Sequence, residues 1–346
     1  MKIQEMSSTY IRFSIIPSLC YCYFISAKIP KGIPRLISLL PIIYIFTILP
    51  LYYSSPFIIG CTTFSITWLS NFKLLLFAFG QGPLCKNGST KMLSLPIFIS
   101  IAALPLRMKQ KNFTQKEKIP LNLAGKLIFF AVILEIIFHH KSEIHQKMVL
   151  ICYCLMIFLL IDILIAFFNS IFRIFVGLES EPPSNEPYLS TSLQDFWARR
   201  WNLTVTNTLR LTVYNPVRLV LFEVVGQEWA QGVAILATFV VSGLMHELIF
   251  CYVTRVSPTW EMTSFFVIHG ISVIVETRVK RSVKDTWRIS GLVSAPLTTG
   301  FVMVTAFGLF FPPLIRNGAD EMVLEEFGFC VDLIKDKMFQ LVSHFR

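Results

Sequence analysis

Runs of apolar residues long enough to cross a bilayer recur along the chain, separated by shorter polar segments. An α-helix rises ~1.5 Å per residue, so a hydrocarbon core of ~30 Å takes about 20 mostly apolar residues to span. Runs of this kind lie at 9–27, 36–53, 57–80, 121–138, 148–171, 231–252, 262–276 and 291–313, which predicts eight transmembrane helices. The stretch from Met92 to Leu106 is apolar but short and carries Pro96 and Pro105, so it reads as a re-entrant or interfacial segment or as a ninth span. Irregular backbone at that depth needs protein or water to satisfy its polar groups. The expected fold class is therefore an all-α, polytopic membrane protein, a single domain over 1–346 with a polar loop at 178–230 and a C-terminal tail at 314–346. The first apolar run lacks a short core ending in a small-residue cleavage site and is followed by Lys28 and Lys31, so it is expected to be an uncleaved span.

Composition agrees with this layout. Of the 346 residues, 54% are hydrophobic and 15% charged, whereas soluble domains run at roughly 45–50% and about 25%. With 32 Phe against 16 Gly the chain is neither collagen-like nor disordered. The net charge of +10 would suggest nucleic acid in a soluble protein. With eight spans, however, the loops at 28–35, 81–120, 172–230 and 277–290 share one side and hold more than twice as many Lys and Arg as the termini with 139–147 and 253–260. Basic loops stay in the cytosol, so the charge marks a cytosolic face. Arg107, Lys109, Lys111, Lys116 and Lys118 form a juxtamembrane cluster suited to anionic lipid or an acidic substrate head. Two cysteine pairs, Cys20 with Cys22 and Cys152 with Cys154, lie inside apolar runs. Residues two apart on a helix diverge, so they read as small hydrophobes rather than metal clamps or disulfides. No internal repeat of the transporter kind is visible.

The stretch 178–230 opens on Glu179, Glu181, Pro182, Pro183 and Pro187, then reads Tyr188 to Asn202 as YLSTSLQDFWARRWN. Ser192 suits the N-cap of a helix, with Asp195 in the capping-box position. From there Leu193, Phe196, Trp197, Arg200 and Trp201 recur at helical spacing, giving an aromatic face flanked by arginines. One reading is an interfacial anchor. The other is a helix that walls a substrate tunnel and offers Arg199, Arg200 and Asn202 to a phosphorylated amphiphile, since the guanidinium fork donates two hydrogen bonds at once.

The run 231–252 carries SGLMHE at Ser242 to Glu247, and an ionisable pair inside a membrane helix marks a functional site by default. Adjacent residues lie about 100° apart on a helix, so His246 and Glu247 face different points. Gly243, three before His246, leaves room on that face for a neighbouring helix or a ligand. His246 suits a general base acting on a hydroxyl, and equally a histidine bonded between helices. His269, in FFVIHG, either lines the same cavity or is structural. His139, His140 and His145 read as a solvated loop; a histidine-box di-iron site needs about eight histidines and the chain has six, so no metal is expected. Asp162, Glu135, Asn71 and Lys73 are further polar groups in apolar runs, with Lys73 long enough to snorkel.

The decamer LQDFWARRWN at 193–202, followed by the intramembrane LMHE with His246, resembles the paired signature of the membrane-bound O-acyltransferase family. It is most similar to the plant wax synthases and the related plant sterol acyltransferases. The resemblance extends to Asn71-Phe72-Lys73-Leu74, Gln81-Gly82-Pro83-Leu84, Glu186-Pro187-Tyr188-Leu189 and Pro258-Thr259-Trp260-Glu261. It departs at Ala198, where the family pattern has Gly. It implies an integral protein of the endoplasmic reticulum that transfers a fatty acyl group from acyl-CoA, as co-substrate, to a hydrophobic alcohol inside a tunnel, with no further cofactor. It further implies a catalytic His246 with Asn202 beside it, and substrate contacts from Asp195, Trp197, Arg199, Arg200, Trp201 and His269. A long-chain fatty alcohol is the expected acceptor, a sterol the alternative. A lipid transporter with His246 and Asp162 in a polar pathway is the alternative of another class.

Overall fold

The computed structural model describes residues 14–85, 93–107, 123–177, 180–282 and 290–344. Glu179 and the basic residues Lys109, Lys111, Lys116 and Lys118 lie outside the described residues.

In chain order the helices are α1 (Ile15–Phe24), α2 (Ile33–Ile48), α3 (56–78), α4 (Leu95–Ala103), α5 (Leu123–His140), α6 (Gln146–Val176), α7 (193–200), α8 (Leu203–Thr254), α9 (Glu261–Ser282), α10 (Gly291–Arg316) and α11 (Ala319–His344). The protein is all-α and multi-pass: among the described residues six helices are long and apolar enough to cross a membrane. They are 33–52, 123–140, 146–174, 203–254, 261–282 and 291–316, and only 11% to 33% of their most apolar windows is buried inside the protein. The remaining apolar surface, such as Leu219, Val224, Leu292 and Val304, therefore faces lipid. The expected re-entrant stretch contains one short helix, α4, which starts at a proline and ends before Pro105.

Two boundaries differ from the sequence expectation. The stretch 178–230 is a loop only as far as Asn202, with α7 inside it, because helix begins at Leu203 and extends, across one kink, to Thr254. A local polar composition, with four threonines between 204 and 212, disguises it. Two of their hydroxyls turn back onto the helix, Thr208 onto the Thr204 carbonyl and Thr212 onto that of Thr208 at 2.8 Å each, and Thr206 donates to the Trp197 carbonyl at 2.9 Å. The run is broken at Gly226, whose φ of 76° and ψ of 170° lie where glycine alone sits without strain. The segment after Pro313 is likewise helical through α11 rather than a loose tail.

Three apolar clusters organise the bundle. One joins α1 to α4 through Leu19, Phe46, Leu74 and Phe98. Another gathers α5, α6, α9 and α10 around Ile137, Tyr153, Phe265 and Phe311. The third seats Trp68 of α3 against Val205 and Leu209 of α8. Polar groups inside the bundle are placed on helix ends. Lys73 is 1% exposed and does not snorkel; its ammonium donates to the carbonyls of Ile101 and Leu104 at 2.7 and 2.6 Å, closing the C-terminus of α4. Asn71 ties α3 to the Thr47 hydroxyl of α2 at 3.2 Å.

The helices α8 and α9 approach closely at Gly243. A Cβ at Gly243 would stand 2.8 Å from the Thr263 Cα, so the glycine admits the neighbouring helix, one of the two roles its position suggested. Gly243→Val must push the helices apart and is expected to cost about 1–3 kcal/mol by overpacking. Gly300→Ala, where the added methyl meets nothing, is expected to be neutral or slightly stabilising. Thermal unfolding of the detergent-solubilised protein compares the two.

Candidate active site around His246

The His246 imidazole sits in an aromatic housing. Its ring lies 4.4 Å from Phe266 of α9 at 30°, 5.2 Å from Trp68 of α3 at 79° and 5.7 Å from Phe310 of α10 at 69°. Trp68 and Phe310 both come from π-helical segments, Thr63–Ser70 and Ala306–Phe310, a local winding that turns side chains off the regular α register. Nδ1 lies 2.7 Å from the Ser242 carbonyl, one turn earlier. A carbonyl only accepts, so Nδ1 carries the proton, and in the neutral ring Nε2 is the basic nitrogen. His246 as a residue is half-buried.

Glu247 turns away, as adjacency on a helix requires. Its carboxylate is 2% exposed and accepts from the Thr259 and Thr263 amides at 3.2 Å each, which caps the N-terminus of α9. The motif Pro258-Thr259-Trp260-Glu261 is thus the entry turn that Glu247 receives.

The helix α7 starts at Ser192, whose hydroxyl accepts from the Asp195 amide at 3.1 Å. Asp195 does not return the bond to Ser192; its carboxylate takes the Thr191 amide at 3.4 Å and the Arg200 Nε at 2.7 Å. Arg200 Nη1 also donates to the carbonyls of Asn185 and Glu186 at 3.2 and 3.3 Å, so this guanidinium pins the preceding loop. Arg199 is exposed. Ala198 is exposed too, so its methyl meets no packing constraint where the related pattern has glycine. The helix is short, two turns ending at Trp201, and its aromatic face is packed within the protein. Trp201 stacks on Phe196 at 5.6 Å and 12°.

Trp197 is the hub of that face. Its ring lies 5.7 Å from Phe266 and 5.6 Å from Phe239, and its indole N–H donates to His269 Nδ1 at 3.0 Å. His269 is completely buried, and its Nε2–H donates to the Thr305 hydroxyl at 2.8 Å, which itself donates to the Phe301 carbonyl. Both ring nitrogens of His269 are therefore committed to the protein. Asn202 follows Trp201 in a left-handed conformation, φ 36° and ψ 66°, and its side-chain oxygen accepts from the Val205 amide at 3.3 Å, capping the start of α8. Asn202 and His246 are not bonded to each other among the described hydrogen bonds. Trp68 packs on Val205 and Leu209 in the turns after Asn202 and lies roughly perpendicular to the His246 ring.

The structure thus brings Trp197 and His246 onto Phe266, with His269 bonded to Trp197, and places Asn202 at the start of the helical turns on which Trp68 packs. It leaves Arg199 at the surface and gives Arg200 and Asp195 to the loop. Phe266 and Phe310 carry no polar group and Trp68 lies in an apolar run, which is why the sequence pattern did not single them out. Phe266, three residues before His269, was within reach of a helical-face argument.

The family model described as "Membrane bound O-acyl transferase family" matches residues 180–268, which contain α7, Asn202 and His246. The chain is 43% identical over 320 residues to acyl-CoA–sterol O-acyltransferase 1 of Arabidopsis thaliana, covering 90% of this chain and 92% of the relative. It is 41% identical over 356 residues to the long-chain-alcohol O-fatty-acyltransferase of Simmondsia chinensis, covering 99% of this chain and 100% of that protein.

Replacing His269 by Leu leaves the Trp197 indole N–H buried without an acceptor, expected to cost about 1–3 kcal/mol. Adding Trp197→Phe removes the orphaned donor, so the double variant is expected to melt higher than the sum of the single losses predicts. Melting midpoints of the four proteins test this.

Proposed function

Because the chain belongs to the membrane bound O-acyl transferase family, we propose that it transfers a fatty acyl group from acyl-CoA to the hydroxyl of a long-chain alcohol, forming a wax ester. The observation that carries the reading is the tautomer at His246: the Ser242 carbonyl holds the proton on Nδ1 and leaves Nε2 as the base.

In this mechanism Nε2 takes the alcohol proton as the alcohol oxygen bonds to the thioester carbonyl carbon. The tetrahedral oxyanion collapses, the carbon–sulfur bond breaks, and the imidazolium returns its proton to the departing thiolate, so ester and free CoA leave together. The thiolate is a good leaving group, so the reaction requires neither a covalent enzyme intermediate nor a metal. The oxyanion needs a donor, and the Asn202 carboxamide is the group we assign to it, since its oxygen already faces the Val205 amide and its nitrogen remains a donor. The aromatic housing limits water at the thioester and so favours the alcohol over hydrolysis.

Acyl-CoA approaches from the cytosolic face that the basic loops mark, with exposed Arg199 as a contact for its phosphates, and the alcohol enters from the bilayer. His246 lies eight residues before Thr254, the last residue of α8, so we read the reaction chamber as the end of a tunnel. The membrane this implies is that of the endoplasmic reticulum, and the chain acts as one catalytic unit. A sterol acceptor is the second reading, favoured by the 43% identity to a relative named for sterol transfer.

Microsomes from a host without neutral-lipid synthesis, supplied with labelled acyl-CoA and with fatty alcohol or sterol in parallel, test the proposal. Wax ester is the expected product. His246→Ala is expected to lower its rate at least ~100-fold, the range of a lost general base, at unchanged protein level. Full activity in that variant excludes the mechanism, and sterol ester alone transfers the assignment to the second acceptor.

A further inference from the structure

Asp162 takes no part in the steps above, yet it is an acid near the middle of α6 and only 4% exposed. A carboxylate in such a place requires partners, and it has two. Oδ2 accepts from the Lys126 ammonium of α5 at 2.6 Å, and Oδ1 accepts from the Ser184 hydroxyl at 2.6 Å. The lysine balances the charge, while the serine ties the bundle to the loop that precedes α7.

That loop is the strut of Asn202. The Pro183 carbonyl accepts from the Leu203 amide at 2.7 Å, and the Asn185 amide donates to the Arg200 carbonyl at 2.9 Å. Ser184 therefore lies between two backbone bonds that grip the chain on either side of Trp201 and Asn202. A left-handed residue other than glycine costs roughly 1 kcal/mol, and asparagine keeps that conformation where its surroundings over-determine it. The two struts and the Val205 amide do so here. Asp162, Ser184, Pro183, Trp201 and Asn202 also line one small cleft, so the acid and the amide share a wall.

We infer that Asp162, acting through Ser184, is a positioning residue for Asn202: it anchors the 183–185 strand and thereby fixes the carboxamide in the geometry that the transition state requires. The inference rests on the reading of Asn202 as an active-site donor. It assigns to the Lys126–Asp162 pair a part in turnover through its second bond, that to Ser184. A bond that only positions a transition-state donor changes kcat, whereas one that only shapes a substrate channel changes KM.

The test uses the full chain in the microsomal assay. Ser184→Ala is expected to lower kcat roughly tenfold while KM for acyl-CoA and for the alcohol stay within about twofold, the effect of a small misplacement of a catalytic group. Ser184→Thr, which keeps the hydroxyl, is expected to recover most of the rate. Should Ser184→Ala fail to accumulate, Ser184→Cys, whose thiol is a weak donor, is expected to fall between the wild type and a tenfold loss. Wild-type kcat in the Ala or Cys variant, a loss that Thr does not recover, or an effect carried by KM overturns the inference. Asn202→Ala measured alongside separates the two levels: wild-type turnover in that variant removes the active-site reading of Asn202, whatever Ser184 does.

Discussion

Where α8 passes α9, Gly243 brings the backbone of one helix within van der Waals contact of the other, and one turn later Glu247 receives the amides that open α9. The close approach and the cap act on the same end of the same pair. Together they set the height and rotation of α9, and from these follow the position of Phe266 under His246 and of His269 on the adjoining turn. In a membrane there is little hydrophobic force to press helices together, so small residues and satisfied polar groups carry that task.

Around this pair several charged groups lying between helices meet a helix end or an opposite charge. Lys73 closes α4, Glu247 opens α9 and Asp162 meets Lys126 and Ser184. His246 is arranged differently. One nitrogen is bound to its own helix, and three aromatic rings from α3, α9 and α10 surround it. The two phenylalanine rings shape a space and offer Nε2 no hydrogen bond. Two of the three rings stand on π-helical segments, so the site is built where the helices depart from ideal winding.

Much of the site was legible in the sequence because polarity inside an apolar run is conspicuous. His246, the divergence of Glu247 from it, and the N-cap at Ser192 all follow from helical geometry and propensity. The pair Arg199 and Arg200 shows the limit. The two are neighbours of the same type, yet one is exposed and the other is locked to Asp195 and the carbonyls of Asn185 and Glu186. Which of two adjacent arginines finds a carboxylate depends on how the loop returns, and no local pattern encodes that. Threonines at 204, 206, 208 and 212 lie in helix, and at least three of them donate their hydroxyls to backbone carbonyls.

The sequence by itself determined that this is a multi-pass helical protein, that its family signature spans Leu193 to His246, and that histidine and asparagine are the polar residues to examine. The first is a property of composition and apolar periodicity along one chain; the other two come from the resemblance that the motifs at 193–202 and around His246 carry. Only the tertiary structure decided that Nδ1 of His246 is engaged by the Ser242 carbonyl, that Trp197 and His269 brace one another, and that Asp162 accepts from Ser184 in the loop before α7. Each of those depends on a partner from another turn or another helix. Hydrogen bonds act over about 3 Å, and only the folded chain brings such groups that close.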